Sequence, residues 1–137
     1  MKRILFVCTG NTCRSPMAAA IARHKASCDG TEIICESAGL AAAEGQPASL
    51  NAVIVCDEIG IELHEHRSRQ VTGEMLNSSD LIVCMSPSHA AALRLYADKV
   101  LVLGGGIVDP YGGNVAVYRN CRDRISAAID EIWEQLK

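Results

Sequence analysis

Four short apolar runs, each followed by a stretch of helical character, leave this chain few choices of fold. "RILFVC" (Arg3 to Cys8) is rich in β-formers and apolar almost throughout, the pattern of a strand buried on both faces of a parallel sheet. "TEIICES" (Thr31 to Ser37), "DLIVCM" (Asp80 to Met85) and "KVLVL" (Lys99 to Leu103) read as three more strands. Between them, Ser15-Pro16 supplies an N-cap and an N1 proline to an Ala-rich helix through Ala26, Ala48 to Ile59 reads as a helix stopped by Gly60, and Ser86-Pro87 starts a helix through Tyr96. A glycine-rich loop, Gly104 to Gly113, precedes a last helix that sets Ile125, Ala128, Ile129, Ile132, Trp133 and Leu136 on one stripe, so Trp133 is read as core. Alternation of this kind implies right-handed crossovers in a single α/β domain over residues 1–137: a four-stranded, doubly wound parallel sheet flanked by helices.

Sheets of this type bind ligands at the carboxyl ends of their strands, where Cys8 and the loop after Leu103 both fall. The first strand runs straight into "VCTGNTCRSP", Val7 to Pro16. A loop leading from a strand into a helix N-terminus gathers unpaired N–H groups and the positive helix end at one point, which is an anion site. Gly10 and Asn11 are expected to take left-handed backbone angles and let the loop curl around the anion. A nucleotide-binding phosphate loop requires Gly-Lys-Ser/Thr, and this chain has Cys13-Arg14-Ser15 instead.

What remains distinctive is a thiol at the start of the loop and a guanidinium at its end. The helix N-terminus and the arginine both favour the thiolate, the form that attacks. Arg14 can grip two phosphoryl oxygens and leave phosphorus in line with the Cys8 sulfur. The reaction this implies is phosphoryl transfer to sulfur, which also needs a proton donor for the leaving group; Asp109, in "DPYGG" on the loop after the fourth strand, is the candidate. No metal or other cofactor is expected, because Cys8 and Cys13 lack a second Cys/His pair at zinc spacing.

Charge and cysteine usage narrow the setting. The net charge of −3 argues against a nucleic-acid partner, which would call for clustered Lys and Arg; the short basic run His64 to Arg69 reads as either a solvated loop or part of the site. Seven cysteines, an odd count scattered through apolar segments, suggest a reducing compartment. No apolar run is long enough for a signal peptide or a membrane span, so a cytoplasmic protein is expected, with no membrane partner and nothing that demands more than a monomer.

Taken together, "VCTGNTCRSP", "ESAG" (Glu36 to Gly39), "HRSRQ" (His66 to Gln70), "DLIVCM" and "DPYGG" stand in an order that resembles the low-molecular-weight protein tyrosine phosphatases over nearly the whole chain. The resemblance implies that Cys8 is the nucleophile, Arg14 the phosphate-binding and transition-state residue, and Asp109 the general acid and then base. It implies that Thr9, Gly10, Asn11, Thr12, Cys13 and Ser15 contact the substrate with Tyr111. It also implies that Ser15 hydrogen-bonds the nucleophile's sulfur, that Asn11, Ser37 and His66 brace the loop, and that Cys13 forms a reversible disulfide with Cys8. The partners implied are phosphorylated proteins.

Substrate choice turns on two departures from the phosphotyrosine-specific pattern. Thr12 replaces a bulky aliphatic residue, and Leu40-Ala41-Ala42-Ala43 stands where an aromatic wall is common. Both weaken an aromatic sandwich around a phenyl ring. A bacterial subgroup similar in "CTGNTCRSPMA" acts on phosphoarginine, with threonine at the position of Thr12, and phosphoarginine is the preferred reading here, with phosphotyrosine as the alternative. The segment Gly104 to Val108 is shorter than in many relatives, which would make Tyr111 the main wall of the pocket. Thioredoxin-linked arsenate reduction is disfavoured because Cys84 has no neighbouring cysteine before Cys121. A non-catalytic phosphocarrier would have no use for Asp109.

Overall fold

The structure, a computed structural model, describes residues 1–137. Four parallel strands lie in the order β2-β1-β3-β4: β1 Lys2–Cys8, β2 Ile33–Gly39, β3 Leu81–Cys84 and β4 Val100–Val102. The helices are α1 (Arg14–Asp29), α2 (Leu50–Asp57), α3 (Gly73–Ser78), α4 (Pro87–Ala92), α5 (Val115–Glu131) and α6 (Trp133–Leu136). The expected four-stranded parallel sheet flanked by helices is present.

Alternation along β1 splits the core in two. Ile4, Phe6 and Cys8 belong to the larger cluster with α1, α2, α5 and α6, while Leu5 and Val7 join Ile82, Cys84, Leu76 and Leu93 on the other face. Helix α1 is rich in alanine, and Ala18, Ala19 and Ala22, each fully buried, contribute only methyl groups to the cluster it shares with β1, β2 and α5. Trp133 is core, as expected, and its indole N–H donates to Asp29 Oδ2 at 2.7 Å.

Several boundaries differ from expectation for identifiable reasons. Helix α1 starts at Arg14 with Cys13 as its N-cap and no side-chain cap; the Ser15 hydroxyl, expected to cap, is bonded to Cys8 and Asn11 instead. The helix expected from Ser86 to Tyr96 stops at Ala92 and passes through a 3-10 segment, Arg94–Lys99, so β4 begins at Val100. The last helix breaks at Ile132, whose backbone leaves the helical region, and Ile132 is less buried than its neighbours on the stripe. Helix α3 was not anticipated; its six residues are too few to show a period, and its only signal is the Thr72 cap on Met75 N–H.

Candidate active site

The carboxyl end of β1 and the loop that follows it meet the loop after β4 around a cavity of about 270 Å³ lined by Cys8, Thr9, Gly10, Asn11, Thr12, Cys13, Arg14, Asp109 and Tyr111. The residues singled out from sequence on two distant segments therefore share one space. Ser15 is the exception: fully buried, it lies behind the sulfur and lines no part of the cavity.

Backbone geometry makes this an anion cradle. The N–H groups of Gly10, Thr12, Cys13, Arg14 and Ser15 have no acceptor within the protein, and the Asn11 N–H faces Cys8 Sγ at 3.3 Å. Such a run of free donors at a helix N-terminus favours a bound dianion. Asn11 takes the left-handed angle expected of it (φ 57°), but Gly10 does not. The glycine the loop requires is Gly39 at the end of β2, where a Cβ would stand 2.5 Å from the Thr9 carbonyl oxygen and 3.1 Å from Asn11 N.

A closed polar network holds the loop from behind. Asn11, with no exposed surface, donates its amide hydrogens to Ser15 Oγ (2.9 Å) and Ser37 Oγ (3.0 Å) and accepts from Arg69 N–H through Oδ1 (3.0 Å). The Asn11 carbonyl accepts from His66 Nε2 at 2.7 Å, so the His66 hydrogen sits on that nitrogen. Burial lowers the His66 proton affinity, with Arg23, Arg67 and Arg69 acting the same way against the Asn11 hydrogen bond. Because Ser15 Oγ accepts from Asn11, its own hydrogen is free for Cys8 Sγ at 2.8 Å. The sulfur is thus faced by two hydrogen-bond donors, the Ser15 hydroxyl and the Asn11 N–H.

Arg14 is 6% exposed; one Nη donates to Ile107 O at 3.0 Å and the other lies 3.6 Å from Asp109 Oδ2. The short segment before Asp109 therefore reaches the site. It does so through three consecutive glycines with positive φ, Gly104, Gly105 and Gly106, and a bond from Ile107 N–H to Met85 O (2.7 Å) that ties the loop to the end of β3. Tyr111 is 76% exposed at the cavity mouth, and none of Leu40 to Ala43 lines the cavity.

Cys13 lies on the same cavity and is close to three hydroxyls: it donates to Ser49 Oγ at 3.5 Å and stands 3.3 Å from Tyr118 Oη and 3.8 Å from Thr12 Oγ1. Burial and the Cys13 contact push the Tyr118 hydroxyl up to about 12. All seven cysteines are free thiols, and no three His, Cys, Asp or Glu side chains converge as a metal site. No helix is long and apolar enough to cross a membrane. Sequence reasoning passed over His89 and Ser49, and took Gly39 only as part of a motif; the available signal for His89 was its place just beyond a strand end on the active edge.

Comparison with known proteins bears on this geometry. Residues 3–137 match the model of the family described as low molecular weight phosphotyrosine protein phosphatase. A protein-arginine-phosphatase of Geobacillus stearothermophilus is 42% identical, with 98% of this chain and 96% of that protein covered. One from Bacillus subtilis is 37% identical with the same coverage. The crystal structure of a low molecular weight protein tyrosine phosphatase from T. tengcongensis superposes with a TM-score of 0.94 at 41% identity, covering 99% of this chain and 100% of that one.

Proposed function

The chain belongs to the low molecular weight phosphotyrosine protein phosphatase family, and from that premise we propose that it removes phosphate from arginine side chains of proteins through a phosphocysteine at Cys8. The observation that carries the mechanism is the meeting of the Cys8 sulfur, the free loop N–H groups, Arg14 and Asp109 in one cavity. The incoming phosphoryl dianion competes with the Asp109 carboxylate for the Arg14 guanidinium and turns the carboxyl toward the leaving group. Cys8 thiolate attacks phosphorus as the P–N bond breaks, and Asp109, which on leaving Arg14 takes up a proton from solvent, donates it as the carboxylic acid to the departing guanidine nitrogen. Asp109, now a carboxylate, takes a proton from water, whose oxygen attacks phosphorus; the S–P bond breaks, and the thiolate departs toward Ser15 and the Asn11 N–H.

Phosphoarginine is favoured by Thr12 at the loop, by the lack of an apolar wall from Leu40 to Ala43, and by the two arginine-phosphatase relatives. A small polar side chain leaves room for a planar, hydrogen-bonding guanidinium and gives little apolar contact to a phenyl ring. Tyr111 can stack on either group. The test is kcat/KM on phosphoarginine and phosphotyrosine peptides, before and after Thr12→Ile. Preference for phosphoarginine that swings toward phosphotyrosine in the variant is expected; a decisive phosphotyrosine preference in the parent protein overturns the arginine reading. The remaining features of the proposal are a monomer without cofactor that acts in the cytoplasm, with Cys13 as the resolving thiol for an oxidised Cys8.

A further inference from the structure

His89, on α4, reaches the catalytic loop from the β3 end of the sheet and has no part in the reaction as described. It is 5% exposed. Its Nε2 lies 2.9 Å from Thr9 Oγ1, while Nδ1 is fully shielded and has no hydrogen-bond partner. Burial, and then the Arg14 charge, lower its proton affinity against an opposing pull from Asp109, so the ring is neutral and carries one N–H. Were that hydrogen on Nδ1, a buried donor would go without an acceptor, an arrangement folded proteins avoid. On Nε2 it finds Thr9, and only a bare lone pair is left inside.

The tautomer has a consequence for Thr9, which lines the cavity. With its oxygen accepting from His89, the threonine hydroxyl has one hydrogen to give, and no protein group receives it. We infer that His89 is a positioning residue whose bond to Thr9 commits that hydroxyl to donate to a non-bridging oxygen of the bound phosphoryl group. The inference rests on the phosphatase reading above. His89 does not touch the substrate; it determines which way a substrate-binding hydroxyl faces.

Two measurements test it. Long-range ¹⁵N–¹H NMR of the imidazole should show the Nε2–H form; the Nδ1–H form overturns the inference, because Thr9 would then be the donor to His89. Calorimetric titration with inorganic phosphate, alongside kcat and KM on an aryl phosphate, should show Thr9→Val and His89→Leu each weakening phosphate binding and raising KM by about tenfold, the worth of one hydrogen bond to a charged group. The double variant should lose no more than either single one, and His89→Gln, which can present an amide N–H to Thr9, should recover to within about threefold. Additive losses, or unchanged phosphate affinity in Thr9→Val, overturn the inference. Thr9 is exposed, so that variant decides the matter even if His89→Leu unfolds. Phosphate titration needs no turnover, so an enzyme that shows this pattern but hydrolyses nothing counts against the phosphatase reading alone.

Discussion

Replacing Gly39 by alanine should damage the active site from outside it. The added Cβ would stand 2.5 Å from the Thr9 carbonyl oxygen, 3.0 Å from Ala42 Cβ and 3.1 Å from Asn11 N. A carbon and a carbonyl oxygen settle no closer than about 3.3 Å, so one side must retreat by roughly 0.8 Å. Gly39 has little freedom to do so: its N–H donates to Arg69 O and its carbonyl accepts from Val71 N–H, both at 2.9 Å, and it is paired in register with Cys8. The Thr9–Asn11 segment therefore moves. Overpacking of this size costs about 1–3 kcal/mol of stability and several degrees of Tm. Displacing catalytic groups by close to 1 Å costs on the order of 10²-fold in rate. The assay is kcat/KM on an aryl phosphate beside thermal unfolding, with Gly73→Ala as the control. A Cβ at Gly73 meets nothing within 4 Å, so that change should be neutral or stabilise by up to about 1 kcal/mol. A Gly39→Ala enzyme with parental kcat/KM would refute the claim that this glycine positions the loop.

Asp109→Asn should lower kcat by roughly 10²-fold while inorganic phosphate binds as well as or better than before, since a competing carboxylate has left Arg14; unchanged turnover would place the proton donor elsewhere. Hydrogen peroxide should inactivate the parent enzyme reversibly to a thiol reductant, with two thiols giving a disulfide and peroxide giving water, whereas Cys13→Ser should be inactivated irreversibly; equal recovery of both removes Cys13 from that role. Burial pushes the thiols of Cys56, Cys84 and Cys121 up to about 12 and that of Cys35 to about 11, from 9.0. A group whose folded value is raised stabilises fully below its unfolded value and loses that contribution as pH climbs toward the folded one. Tm should therefore fall between pH 9 and 11 and fall less in Cys84→Ala; a flat Tm over that window refutes the reasoning.

The sequence made the sheet and the phosphate-sized loop legible because both rest on strong local signals: unbroken apolar runs for buried strands, and a thiol, an arginine and a helix start within a few residues. At Ser15 the local signal misled, since Ser-Pro has the form of a helix cap, whereas the bond to the Cys8 sulfur that the resemblance implied is present. The hydroxyl serves the sulfur at 2.8 Å instead, and the uncapped helix keeps its N–H groups for an anion. Gly10 illustrates a second limit, since the glycine inside the motif uses ordinary backbone angles and the one that must lack a Cβ lies 28 residues on from Asn11, in another strand. His89 was passed over for a related reason, since its place beyond a strand end put it on the active edge but did not name its partner. Its partner is 80 residues away in the chain, and only the β1–β3 pairing brings them together.

The alanines of α1 carry one more implication. Ala18, Ala19 and Ala22 have no exposed surface and lie in the core cluster that joins the helix to β1, β2 and α5, so the seating of the helix N-terminus beside Cys8 depends on the small volume of side chains that line no part of the cavity. The aperture offered to phosphate is in that sense a packing dimension of the interior. A library enlarging any of these alanines to valine or leucine would scan the radius of the cradle without altering a single residue that lines it, and activity should decline in step with the side-chain volume added.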